Sequence, residues 1–312
     1  VGFPPKAASC DDLLCCSFRQ TLRSVAYWDL PCTGASTAFI QPTMQAQKLT
    51  QATSCSARIQ PFVRISRISS VRPSRPVTMR ATASYELDPD NASILVCGGG
   101  GVALHVTRKL KDMGSWVWMM QRTDVRKAEI EKMMAFVPKG DALNKDDVQR
   151  VFDGIEEVDA VVCTLGGTIA DPRVDSEGNI NVIDAAIKKG VKKFILVTSV
   201  GCGDSKDAPG ERVYNILKPV LVEKDKAEEH LKAAGAAGKL TYVIIRPGGL
   251  VSEPATGNAI VTEDNTVSGQ IHREDVAALV VKALFSKKAD NKVLTAIDPT
   301  KVPGPECKAF QL

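Results

Sequence analysis

Four consecutive glycines, Gly98 to Gly101, follow directly on the apolar run Ser93–Cys97, and Val102, Val106, Leu110 and Met113 then recur at helical spacing. No other pattern in the 312 residues limits the fold as strongly. A strand that turns within a few residues into a helix must lay that helix on the sheet, and the next strand then returns parallel to the first.

The alternation continues along the chain. Trp116–Met120 reads as a second strand, and a charged helical stretch runs from Asp124 through Met133 and Met134. A third short strand is expected to end at Val137. Val148, Val151, Phe152 and Ile155 form one helical stripe before an apolar strand at 158–163. Helices near 178–189 and 219–234 lie on either side of a strand at 194–198, and another strand follows at 242–245. Ala277, Val280, Val281 and Leu284 give a last helical face ahead of a strand at 293–297. The strands are apolar throughout rather than alternating, as in a sheet covered on both faces. The expected class is α/β: a doubly wound parallel sheet, the Rossmann fold. It forms one domain over residues 81–312, with a small C-terminal substrate-facing region.

Glycines between such a strand and helix let a ligand approach the backbone and aim helix-terminal N–H groups at a phosphate, so a dinucleotide is the natural ligand. Gly98, Gly99, Gly100, Gly101 and Val102 are the candidate contacts. Two registers fit. G-x-G-x-x-A uses Gly98, Gly100 and Ala103; G-x-x-G-x-x-G uses Gly98 and Gly101 but meets Leu104. NAD calls for an acid at the end of the second strand, yet that place reads Met120, Gln121, Arg122, Thr123. Arg122 suits a 2′-phosphate, which favours NADP over NAD, although Asp124 stands close by.

Charge divides the chain unevenly. Ten of the 40 Lys and Arg stand in residues 1–80 with three of the 36 acids, and no acid lies between Asp29 and Glu86. Beyond residue 80 the count is 30 basic against 33 acidic, so the body is not a basic nucleic-acid-binding domain. The Ser-, Thr- and Arg-rich stretch from Met44 to Arg80 looks like an organelle transit peptide. Its end resembles plastid presequences, with cleavage near Arg80, Ala81 or Thr82. The expected address is the chloroplast, in the stroma or on the thylakoid, with the mitochondrion as rival. Met44 is an alternative start, and a basic arm with its own binding role is the alternative to a leader.

Five of the nine Cys lie in this leader. Cys97, Cys163, Cys202 and Cys307 remain, without CxxC or ligand-spaced His, so neither a metal site nor a disulfide framework is indicated. Cys97 and Cys202 border the presumed cleft and are expected to be packing residues. No apolar run approaches the ~18 residues that cross a bilayer, so any membrane association would be peripheral.

Taken together, several motifs resemble the atypical short-chain dehydrogenase/reductase family, in its NAD(P)H-binding, NmrA-like branch with plant and algal plastid members. They are VCGGGG from Val96, GDA from Gly140, GNINVIDAA from Gly178, KKFILVTS from Lys192, RPG from Arg246 and REDVA from Arg273. The resemblance runs from about Ser93 to Ile297. It implies that Asp141 and Ala142 lie beside the adenine, that Thr164, Leu165, Gly166 and Gly167 follow the cofactor after the fourth strand, and that Pro247 and Gly248 lie near the nicotinamide. Thr198, at the end of the next strand, joins this set.

Active family members use a Tyr and a Lys four residues apart, with a Ser after the fifth strand, and Ser199 takes the Ser place. Tyr214 and Lys218 give the spacing literally, but Pro219 follows at once and disfavours helical geometry at Lys218. A second register aligns Lys224 and Glu228, ahead of Arg246 and Pro247, and puts Val220 at the Tyr position. A helix beginning at Pro219 favours this second register. Lys224 is then a candidate for both catalysis and cofactor binding, and the proton relay is incomplete. The segment from Ser252 to Gln270 is expected to cap the substrate side.

Two functions follow. One is an NADP(H)-dependent oxidoreductase acting on a small carbonyl or alkene. The other is a non-catalytic NADPH-responsive sensor or assembly factor for a plastid protein complex, favoured by Val220. Nucleic-acid binding has no support in the charge pattern.

Overall fold

The computed structural model describes residues 86–302 and 307–312. The expected leader, residues 1–80 with Met44, lies outside them.

Strands β1 (Ser93–Cys97), β2 (Trp116–Met120), β3 (Ala160–Cys163), β4 (Lys193–Val197) and β5 (Thr241–Pro247) alternate with helices. These are α1 (Gly101–Asp112), α2 (Lys127–Lys132), α3 (Lys145–Asp153), α4 (Asn179–Lys189) and α5 (Glu211–Ala236). After β5 come the short strands β6 (Gly249–Val251), β7 (Ile260–Thr262) and β8 (Gln270–His272), then α6 (Arg273–Phe285) and β9 (Lys292–Ile297). The main sheet has seven strands in the order β2-β1-β3-β4-β5-β9-β7, and a separate parallel pair joins β6 to β8. All pairings in the main sheet are parallel except β7 on β9. This is the Rossmann architecture that the alternation predicts.

Alternate residues of each strand serve two cores. Ile94 and Val96 face α1 and α6, while Leu95 and Cys97 face α3, α4 and α5. Both faces being covered is why the strands read as unbroken apolar runs. Among the described residues no helix is long and apolar enough to cross a membrane.

Four details differ from expectation. The helical stretch after Asp124 is one 3-10 turn, Asp124–Arg126, followed by the short α2. Met134, at φ 62, then bends the backbone out of the helix. The short strand expected to end at Val137 is absent, and that stretch makes only two isolated bridges, Phe136 to Trp118 of β2 and Lys139 to Gln121 just after it. Pro138 between them has no N–H to extend the ladder. The segment 252–270 is no simple loop, because β7 within it forms the sheet edge beside β9.

The largest correction concerns α5, which begins at Glu211 and runs through Pro219 rather than starting there. Pro219 costs the helix the hydrogen bond to the Asn215 carbonyl. Asn215 is an exposed residue, so this lost bond falls on the solvent side of the helix, which continues.

Candidate functional site

The site lies at the carboxyl ends of the strands, where open α/β sheets receive ligands. Gly98 has φ +141, and a Cβ there would fall 2.3 Å from Thr164 Oγ1. The turn is braced by Gln121, whose Nε2 donates to the Gly98 carbonyl at 2.8 Å. Gly100 differs: a Cβ there would meet nothing within 4 Å. Helix α1 follows with no side-chain cap and no acidic residue in its first turn, so its leading N–H groups are free for an anion. Ala103 is fully buried against the sheet. Turn at Gly98, open approach at Gly100 and close packing at Ala103 match G-x-G-x-x-A.

A cavity of about 370 Å³ opens beside this turn. It gathers Gly98, Gly99, Arg122, Asp141, Ala142, Leu165 and Gly166, and adds Gln121 and Arg126, which sequence reasoning missed. Asp124 is turned away to Lys139 at 3.1 Å. Among the described residues neither Arg122 nor Arg126 makes a salt bridge, although the Arg122 charge is one of those that lower the Asp171 carboxyl. Such a set, open amides and guanidiniums around a cavity, fits a dinucleotide. Asp141 is held by local bonds: its N–H donates to Asp147 Oδ2 at 3.1 Å, and its carboxylate accepts from the Leu143 N–H at 3.0 Å. Val102 does not face the cavity; it packs in the core beneath α1.

The other candidates gather around α5. Lys224 is nearly buried, its Nζ 2.7 Å from Asp175 Oδ1. It also donates to the Leu165 carbonyl at 3.4 Å, while Asp175 Oδ2 accepts from the Gly167 N–H at 2.8 Å. Lys224 therefore lies against the 164–167 loop with its charge matched. Thr164 is tied to β1 through its own N–H, which donates to the Cys97 carbonyl at 2.8 Å.

Tyr214 and Lys218 are not brought to Lys224. Ten residues of helix separate Tyr214 from Lys224, about 15 Å along the axis. The Tyr214 ring takes Lys206 at 5.3 Å, and Lys218 is exposed. Val220, one turn before Lys224, has no hydroxyl. Ser199 is half-buried at the end of β4, its Oγ donating to the Val200 carbonyl at 3.1 Å.

Beneath Ser199 lies a buried charge network. Thr198 Oγ1 donates to Glu228 at 2.7 Å, so its hydroxyl is engaged away from the cavity. Arg246, 1% exposed, donates to Glu228 through Nε at 3.1 Å and Nη2 at 2.6 Å, and through Nη1 to Asp204. Burial pulls the Arg246 guanidinium down, but Glu228 and Asp204 outweigh it and hold the group charged. Asp204 also accepts from Asn265 at 2.9 Å, which ties the segment after β7 to the network. Pro247 is buried at the end of β5, and at Gly248 a Cβ would fall 2.3 Å from the Gly269 carbonyl oxygen. The motif of Lys224, Glu228 and Arg246 is thus two ion pairs, with Asp175 as the member that no spacing announced.

The thiols are packing groups. Cys97 is fully buried, and its hydrogen bond with Cys163 together with burial pushes it well up. Burial and the Glu228 carboxylate push Cys202 to about 12.

A family profile described as NAD(P)H-binding matches residues 98–287. An uncharacterized chloroplastic protein of Arabidopsis thaliana is 34% identical over 158 residues, 47% of this chain and 55% of that protein. The chain thus spans about half of that relative's length. An uncharacterized sugar epimerase of Bacillus subtilis is 35% identical over 158 residues, 49% of this chain and 68% of that one. Among solved structures, the anaerobillin reductase ChuY of Escherichia coli O157:H7 superposes with a TM-score of 0.61 at 28% identity, covering 68% of this chain and 100% of its own. With the glycine turn, the cavity and the profile match falling on the same residues, the chain belongs to the NAD(P)H-binding family of atypical short-chain dehydrogenases/reductases.

Proposed function

We propose that this protein is an NADP(H)-dependent reductase of a small carbonyl or alkene, working in the chloroplast. The observation that carries the cofactor choice is the pair Arg122 and Arg126 on the cavity wall, unpaired among the described residues, while Asp124 is held by Lys139. Two guanidiniums suit a 2′-phosphate, and the carboxylate that would select a ribose hydroxyl is spent elsewhere. The nicotinamide, when bound, supplies the hydride. In this reading Gly98 to Gly101 hold the diphosphate, Asp141 and Ala142 border the adenine, and Ser199, Pro247 and Gly248 border the substrate. Lys224, matched by Asp175, positions the 164–167 loop rather than tuning a phenol. The chloroplastic Arabidopsis relative and the acid-free stretch before Glu86 support the address.

Calorimetric titration of the full chain is the test. NADPH is expected to bind at least about tenfold tighter than NADH, and Arg122→Ala with Arg126→Ala to abolish the difference. Equal affinities in the unmodified protein would refute the NADP assignment. A second reading, an NADPH-responsive sensor or assembly factor for a plastid complex, is favoured by one observation: Val220 stands where the relay needs a hydroxyl. Intact NADPH binding without turnover over a panel of carbonyls and conjugated alkenes would establish it instead.

A further inference from the structure

Arg273 opens α6 and reaches across to the start of α1. A Cβ on Gly101 would fall 2.9 Å from Arg273 Cδ and 3.8 Å from its Nε, so the guanidinium stem lies directly on the first residue of α1. Its Nη1 donates to Ser252 Oγ at 2.6 Å and to the Leu250 carbonyl at 3.4 Å, both neutral acceptors. Among the described residues it has no carboxylate partner, because the adjacent Glu274 is taken by Lys109 at 3.4 Å. A guanidinium carries five N–H donors, and the two bonds use one nitrogen.

This placement is electrostatically wrong for the protein by itself. The N-terminal end of a helix carries partial positive charge and favours anions. Here it has neither an acidic residue in the first turn nor a side-chain cap, and a half-buried cation is laid beside it. The backbone at Gly100 is open on the same turn. Two positive groups converge where an anion would satisfy both.

We propose that Arg273 is a diphosphate-binding residue of the cofactor site. The inference rests on the dinucleotide reading above. It gives Gly101 a role apart from backbone approach: a side chain there would displace Arg273.

The full chain, Arg273→Ala, Arg273→Gln and Ser252→Ala are titrated by calorimetry with NADPH and with adenosine 2′-monophosphate, which lacks the diphosphate. The Gln variant keeps the stem out to Cδ against Gly101 and removes the charge with the guanidinium. Both Arg273 variants are expected to lose about tenfold or more in NADPH affinity, as for a charge-assisted hydrogen bond, and to hold the monophosphate within about twofold. Ser252→Ala is expected to bind both ligands as the unmodified protein does. Unchanged NADPH affinity in Arg273→Gln overturns the proposal. So does an equal loss for the monophosphate, or the same loss in Ser252→Ala, since either makes Arg273 a tether rather than a ligand contact. An unmodified protein that binds no dinucleotide overturns the parent reading, and this one with it.

Discussion

Along the carboxyl edge of a single sheet, this chain treats its charges in two ways. Beyond β1 to β3, three arginines stand without a salt bridge among the described residues: Arg122 and Arg126 on the cavity wall, and Arg273 at the uncapped start of α1. Beyond β4 to β9, the buried charges answer one another. Lys224 meets Asp175, and Arg246 meets Glu228 and Asp204. Asp298 accepts from the Thr256 hydroxyl at 2.7 Å, and Asp275 from the Thr256 N–H at 2.9 Å. The first half has donors to spare and is completed by an anionic ligand. The second matches its main buried charges internally, Lys224 with Asp175 and Arg246 with Glu228, and leaves the buried His272 Nδ1 without a hydrogen-bond partner among the described residues.

The largest effect is expected at the centre of the closed half. Arg246→Ala leaves Glu228, fully buried, with Thr198 and Lys232 as its remaining partners among the described residues. Breaking a buried pair from one side costs about 3–5 kcal/mol. Urea unfolding should show that loss, whereas removing exposed Arg122 should cost under about 0.5 kcal/mol. A small loss at Arg246 would erase the contrast between the halves.

The same contrast explains how much the sequence disclosed. Strands such as Phe194 to Val197 and the glycine run were legible because burial on both faces and a tight turn each restrict residue type at consecutive positions. Arg122 was legible because a fixed distance from the glycines marks the end of β2. Arg126, four residues on, and Arg273, far along the chain, reach the site only through the fold. Asp175 lies in no motif, and its pairing with Lys224 depends on α5 packing beside the turn before α4. The start of α5 was misjudged because the rule for residues preceding proline is local. The compensation, the solvent-exposed position of Asn215, comes from the surface.

A mutant cycle sharpens the closed half further. Lys224→Met alone strands the buried Asp175 carboxylate and should cost about 3 kcal/mol. Adding Asp175→Leu should recover most of that, short of the bond to the Gly167 N–H. If the double variant is no more stable than the single one, the two residues do not act as a pair. Lys224 would then need a role toward the cofactor itself.

The smallest effect on stability, and the most discriminating for the open half, comes from two glycines two residues apart. Gly98→Ala forces a side chain into φ +141 and onto Thr164, a strain of about 1–3 kcal/mol that should lower the melting temperature of the free protein. Gly100→Ala meets no atom within 4 Å and has an ordinary φ of −85, so the free protein should change by under about 1 kcal/mol. Saturating NADPH should raise the melting temperature of the unmodified protein by mass action. Because the added methyl group at Gly100 occupies the space a diphosphate needs, that rise should vanish in Gly100→Ala although its own fold is intact. A full NADPH-induced rise in Gly100→Ala would mean that the opening is not where the ligand lies, and the unpaired cations around it would have to serve some other anion.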